Sequence, residues 1–436
     1  IKLDGNYPVG TNNVALGNES LNGSISGSEN VAVGTYSLDA TTSGSYNSGL
    51  GYAALSGNTT GGANTAIGNG ALISSTTGSY NTGLGASALL NNTTASNNTA
   101  VGYQAGYSNT TGTRMSALGY QALYANTTGN YNTAMGYAAL DANTTASYNT
   151  ALGHFALSSL VGGGATLNTA IGSDAMANTT TGTNNVALGS SALAANTTAS
   201  DNTAVGYQAS GNNTTGTQNV AIGHNTARLT TTGRENTTVG KGAMYYNTTG
   251  SYNTSLGKEA LQNNTTASYN TAVGYQAGYS NTTGTENVAI GANALDANTT
   301  GSANVAVGQG SLDNNTTGLQ NTAVGHDSMK LNTTGRENAA LGKGSLNANT
   351  EGDYNTALGR SALVANTTAS NNTAVGYQAL YDNTTAERNT AVGRLAAANT
   401  TTGADNTAMG SAALTTNTTG ANNIAIGASA LRLNTT

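Results

Sequence analysis

Apolar and polar positions along the chain recur every 17 residues. The pattern Asn-(Thr/Val)-small-aliphatic-Gly appears at Asn13 to Gly17, returns at Asn30 to Gly34 and Asn47 to Gly51, and runs on to Asn423 to Gly427, 25 copies in all. One interval is longer. Asn149 to Asn168 spans 19 residues, where Ser158-Ser159-Leu160-Val161-Gly162-Gly163-Gly164 replaces the usual link. With the Asn of each copy as position 0, that position is Asn in 24 of 25 copies, Met115 being the exception. Position 2 is always small, position 3 is Val, Leu, Ile or Met, and position 4 is Gly throughout. Position 7 is Ala, Ser or Thr, and position 8 is Leu or Met in 20 copies.

Positions 1 and 3 alternate around the small position 2, which is the period of a short β-strand rather than a helix. Taking the larger side chains as the core places positions 1 and 3 inward and position 2 outward. Gly at position 4 ends the strand, and a second short strand is expected to carry position 8 inward. One such unit buries almost nothing alone, so stability has to come from stacking like positions on one another. The expected fold is all-β: a β-solenoid of 25 coils of about 17 residues, rising about 4.8 Å per coil, the strand spacing. Residues 1–12 read as an N-terminal cap or joining segment, and 13–436 as a single solenoid domain with an insertion near 158–167.

Composition narrows the function. Charged residues are only 7% of the 436, with a formal net charge of −6, so no basic patch is available for nucleic acid. No cysteine is present, which excludes disulfides, thiolate metal sites and cysteine nucleophiles. No apolar run is long enough to span a membrane as a helix, so no membrane insertion is expected within this segment.

Candidate chemistry is sparse. His154, His224 and His326 all occupy position 5 but lie several coils apart, too far to share a metal. They read as surface residues, in the same position as Lys241, Lys258, Lys343, Arg360 and Arg394. Glu235 and Glu337 follow Arg234 and Arg336 in matching Gly-Arg-Glu-Asn steps and read as local ion pairs of little energetic weight. Val161-Gly162-Gly163-Gly164 lacks a following Lys-Ser/Thr and reads as an insertion loop, not a phosphate cradle. Catalytic, cofactor and metal residues are expected to be absent, and the chain is not expected to be an enzyme. Tyr recurs just before position 0 and just after the Gly, as at Tyr131 and Tyr103, where half-exposed rings can stack along the solenoid.

Positions 11 to 13 read Asn-Thr-Thr in most coils, which satisfies the N-glycosylation acceptor pattern. The candidates are Asn58, Asn109, Asn126, Asn143, Asn178, Asn196, Asn247, Asn281, Asn298, Asn332, Asn366, Asn383 and Asn417. The competing reading is a turn that needs Asn, with a Thr ladder bonding the backbone. The small outward position 2 marks Ala134, Ala204 and Ala323 as a candidate assembly face, where another chain approaches closely.

The units Asn98-Thr99-Ala100-Val101-Gly102-Tyr103-Gln104-Ala105 and Asn219-Val220-Ala221-Ile222-Gly223 resemble the head repeats of trimeric autotransporter adhesins and the repeats of phage-tail-fibre-like bacterial surface proteins. The resemblance implies a left-handed parallel β-roll, commonly packed as a homotrimer, in an extracellular fibre or adhesin. The adhesin-head repeat is shorter, so the added Asn-Thr-Thr arm projects from the coil or widens it. The expected function is a structural extracellular fibre or filament protein forming a rigid rod on a cell surface or virion. Its partner is expected to be itself, as a homotrimer or an end-to-end filament. The alternative is a multivalent adhesin binding host matrix or glycans through repeated surface positions.

Overall fold

The computed structural model describes residues 10–23 and 25–435. Most of the segment expected to cap or join, residues 1–12, lies outside the described residues. The fold is an all-β solenoid of about 17 residues per coil. The chain divides into two compact units, Ile1–Gln218 and Asn219–Thr436. The first holds three-residue strands β1 (Val14–Leu16) to β12 (Thr203–Val205), and the second holds β13 (Val220–Ile222) to β25 (Ile424–Ile426). Within each unit successive strands pair in parallel with like positions opposite one another. Thr82, Gly83 and Leu84 face Thr99, Ala100 and Val101, and in the second unit Thr356, Ala357 and Leu358 face Thr373, Ala374 and Val375.

The strand phase is the reverse of the sequence expectation. Position 2 points inward, with Ala100, Ala134, Ala204 and Ala323 fully buried, while positions 1 and 3 point outward. The coil is too narrow for anything larger than a small side chain at this point. At Gly49 an added Cβ would already meet the Ser37 hydroxyl at 2.5 Å. The interior is completed by position 7, by Leu or Met at position 8, by Asn at positions 0 and 11, and by Gly or Ala at position 14. Position 8 is inward as expected, but on a turn rather than a second strand.

That turn depends on left-handed backbone. Positions 6, 8 and 16 take positive φ, as at Gln104 (55°), Leu89 (52°) and Arg114 (57°). Such conformations cost about 1–2 kcal/mol each for residues with a side chain. In return the N–H of Gln104 reaches the Ala86 carbonyl one coil back at 3.0 Å, and that of Leu89 reaches the Ala105 carbonyl one coil on at 2.9 Å. Val, Ile and Thr never occupy these three positions in any coil, although Thr is abundant elsewhere. A branched Cβ makes the left-handed region costlier still. Position 4 is stricter. Gly102 has φ +135°, and a Cβ there would stand 2.4 Å from the Gly119 carbonyl oxygen, so only glycine fits.

The longer coil from Asn149 absorbs its two extra residues between Leu157 and Ala165. The Asn149 side chain finds Ala165 O at 2.9 Å, and pairing resumes between β9 (Thr150–Leu152) and β10 (Thr169–Ile171) without slipping.

Candidate functional site

Two ladders of buried asparagine converge on one carbonyl in most coils. In the coil from Asn47, Nδ2 of Asn47 donates to Gly61 O at 2.9 Å and Nδ2 of Asn58 donates to the same oxygen at 3.0 Å. Along position 11 the amides also bond one another, Nδ2 of Asn109 donating to Oδ1 of Asn92 at 2.8 Å and Nδ2 of Asn126 to Oδ1 of Asn109 at 2.9 Å. Along position 0 the side-chain oxygen accepts a backbone N–H from the next coil, as Asn30 Oδ1 does from Asn47 at 2.9 Å. A buried amide left unpaired costs about 1–3 kcal/mol, so these bonds are what permits a core so rich in amide.

The following Thr, at position 12, completes the arrangement. Thr110 donates both its N–H (2.9 Å) and its hydroxyl (3.0 Å) to the Thr127 carbonyl. Asn-Thr-Thr is therefore a structural element. Twelve of the thirteen candidate acceptors are buried: Asn58, Asn109, Asn126, Asn143, Asn196, Asn247, Asn281, Asn298, Asn332, Asn366, Asn383 and Asn417. Their Nδ2 atoms already donate within the fold, so a sugar on any of them is incompatible with the folded coil. Asn178 alone of the set is exposed, because its coil places Thr179 at position 11 and shifts the tripeptide by one residue.

The assembly face expected at Ala134, Ala204 and Ala323 is corrected by their complete burial. The outward strand face belongs instead to positions 1 and 3. Position 3 presents an uninterrupted aliphatic row, with Leu118 43% exposed and Leu341 51% exposed, and no charged residue occurs at position 1 or 3 in any coil. Sequence reasoning recognised the row but turned it inward. The missed signal was the invariably small position 2, which is what a narrow coil requires of its core.

Aromatic residues stand outside the core as expected. At position 5, Tyr103, Tyr120, Tyr137 and His154 form a continuous stack with centroid separations of 5.4, 5.0 and 5.3 Å. Tyr131 stacks on Tyr148 at 4.8 Å and Tyr252 on Tyr269 at 4.9 Å. Inside such runs each ring turns its faces to its neighbours.

The arginines of the two Gly-Arg-Glu-Asn steps reach across coils rather than to the glutamate that follows them. Arg336 binds Asp353 at 3.4 Å rather than Glu337, and Arg234 lies over the Tyr252 ring at 5.7 Å. His154, His224 and His326 are exposed on separate coils. At position 9, burial pushes the Asp296 carboxyl up to about 6, and the Asp313 carboxylate adds to the rise. Among the described residues no three His, Asp or Glu side chains converge on a point that could hold a metal ion, and no helix is long and apolar enough to cross a membrane.

The chain matches no family model and no curated protein.

Proposed function

We propose that the chain is a structural protein of an extracellular fibre, and that its copies pack on one another through the outward strand face. The observation behind this reading is the unbroken aliphatic row at position 3 beside an uncharged position 1. Exposed apolar patches beyond a few hundred Å² are characteristic of interaction surfaces. In the first unit, twelve strands present this face. Half-exposed aliphatics in such a row, with their flanking threonines, offer area on the order of the ~800 Å² per partner that a standard interface buries. A second copy is the natural occupant, because its own row has the same spacing and the same chemistry. Packing along the row is lateral, which suits the homotrimer implied by the adhesin-head resemblance better than end-to-end joining.

The adhesin alternative, in which the tyrosine positions bind glycans, has less behind it. Rings inside the stacked runs have no free face to offer a sugar.

The test is light scattering and electron microscopy on the full chain beside a Leu118→Asp/Leu152→Asp variant. Multimers with repeated cross-sections in the parent, and monomers of unchanged circular dichroism in the variant, support the reading. A parent that stays monomeric at high concentration, or a variant that assembles normally, overturns it.

A further inference from the structure

Position 5 changes character between the two units. In the first it carries the aromatic stack described above. In the second, His224, Lys241, Lys258 and Tyr275 occupy it in successive coils, and the order returns six coils later as His326, Lys343, Arg360 and Tyr377, followed by Arg394. All of these side chains are exposed. Strands β19 (Thr322–Val324), β20 (Ala339–Leu341), β21 (Thr356–Leu358), β22 (Thr373–Val375) and β23 (Thr390–Val392) pair in register. Their position-5 residues therefore leave the same corner at about one strand spacing, 4.8 Å, from coil to coil.

Off this position, Arg388 and Arg336 are matched to carboxylates across coils, Asp405 at 2.8 Å and Asp353 at 3.4 Å, and Lys330 to Asp327 in its own coil. Along position 5 such matching is sparse. Lys258 meets Glu259 at 3.5 Å and His326 meets Asp327 at 2.9 Å, but among the described residues Lys241, Lys343, Arg360 and Arg394 have no carboxylate in ion-pair contact. Like charges one coil apart lie well inside the Debye length of about 8 Å at physiological ionic strength, so they repel one another until an anion is supplied.

We propose that this stripe binds a linear acidic polysaccharide, whose carboxylate or sulfate groups follow one another along a single chain as the cations do along the coils. Tyr377 sits between Arg360 and Arg394, is 41% exposed, and has no aromatic neighbour at its position, unlike Tyr120. Nucleic acid fits less well. Duplex DNA carries one charge per about 1.7 Å, far denser than one cation per coil. The proposal stands independently of how copies of the chain assemble, because it concerns position 5 and not the strand face.

Titration calorimetry of the full chain with polygalacturonate, dextran and oligothymidylate tests it. Polygalacturonate is expected to bind, with affinity falling as salt rises, and dextran not to bind. The Lys343→Gln/Arg360→Gln/Arg394→Gln variant is expected to lose about tenfold or more and to show a flatter salt dependence, since three counterion-releasing contacts are gone. Removing three cations off the stripe, Arg336→Gln/Arg388→Gln/Arg432→Gln, is expected to leave most of the affinity. No binding by the parent, equal loss in the two variants, or preference for oligothymidylate overturns the proposal. Unchanged circular dichroism and thermal unfolding of the stripe variant show that its loss is not a loss of fold.

Discussion

Met115 fills the space that Gly106 leaves. Its Cε lies 2.6 Å from the place where a Cβ on Gly106 would stand, and Met115 is the one residue in 25 copies that replaces the position-0 asparagine. Gly106 in turn stands where most coils have a buried Leu. Each departure from the pattern compensates the other. Gly106→Leu alone is expected to destabilise by overpacking, and Met115→Asn alone by opening a cavity. The double variant recreates an ordinary coil and is expected to recover about 1–3 kcal/mol of coupling energy. A chemical-denaturation cycle giving additive effects contradicts the compensation.

A second expectation concerns a gap in the amide ladder. Ser75 takes position 11, where most coils have Asn, and both its hydroxyl and the Oδ1 of Asn58 one coil back are buried without a partner. Ser75→Asn supplies an Nδ2 for that oxygen and for the carbonyl of Gly78. The gain expected is about 1 kcal/mol, the net worth of a hydrogen bond. A lowered denaturation midpoint shows that the vacancy is filled in another way.

The left-handed position 8 gives a third. Leu123 is fully buried with φ 54°. Leu123→Met keeps an unbranched Cβ and is expected to cost under about 1.5 kcal/mol, as volume-conserving swaps do. Leu123→Ile conserves volume equally but forces a branched Cβ into the left-handed region, and is expected to cost at least about 1 kcal/mol more. Equal midpoints for the two variants refute the backbone explanation for the absence of Val and Ile at this position.

Acidity should stabilise the second unit over one range. The Asp296 carboxyl is raised from 3.8 to about 6, first by burial and then by Asp313, so the folded state holds its proton more tightly than the unfolded state does. The fold disfavours the ionised form. Stability is therefore greatest with the carboxyl protonated, below about pH 4, and falls as pH rises through about 6. Asp313 shifts in the same direction, by burial, against the opposing pull of Lys330. Asp296→Asn is expected to raise the unfolding temperature near pH 8 and to flatten the profile between about pH 4 and 7. A variant whose profile keeps the parent's slope shows that Asp296 is not its source.

The spacing, the parallel stacking and the strand at positions 1 to 3 were legible because like residues must sit on like residues in such a fold. The phase of the strand was not. Hydrophobicity favours Val205 over Ala204 for the core, and that rule holds where the core is wide enough to receive a valine. Here the opposite wall is one side chain away, and size overrides hydrophobicity. Ala204→Leu is consequently expected to disrupt the coil, and Val205→Asp to change only the outward face. Asn-Thr-Thr was ambiguous for a related reason. The tripeptide is the same whether a transferase or a neighbouring coil reads it, and only burial tells the two apart. The cation row at position 5 was visible residue by residue, but its lack of partners depended on which way Arg336 and Arg388 reached.

The position-4 glycine has a consequence for heredity. Each coil meets its neighbour through bonds that the neighbour repeats, from the asparagine amides to the close approach of Gly102 on Gly119. A gene segment encoding one coil can thus be duplicated or lost by misaligned recombination, and the coils on either side still find the partners they require. The number of coils can therefore change by whole steps, while within each step position 4 admits only glycine.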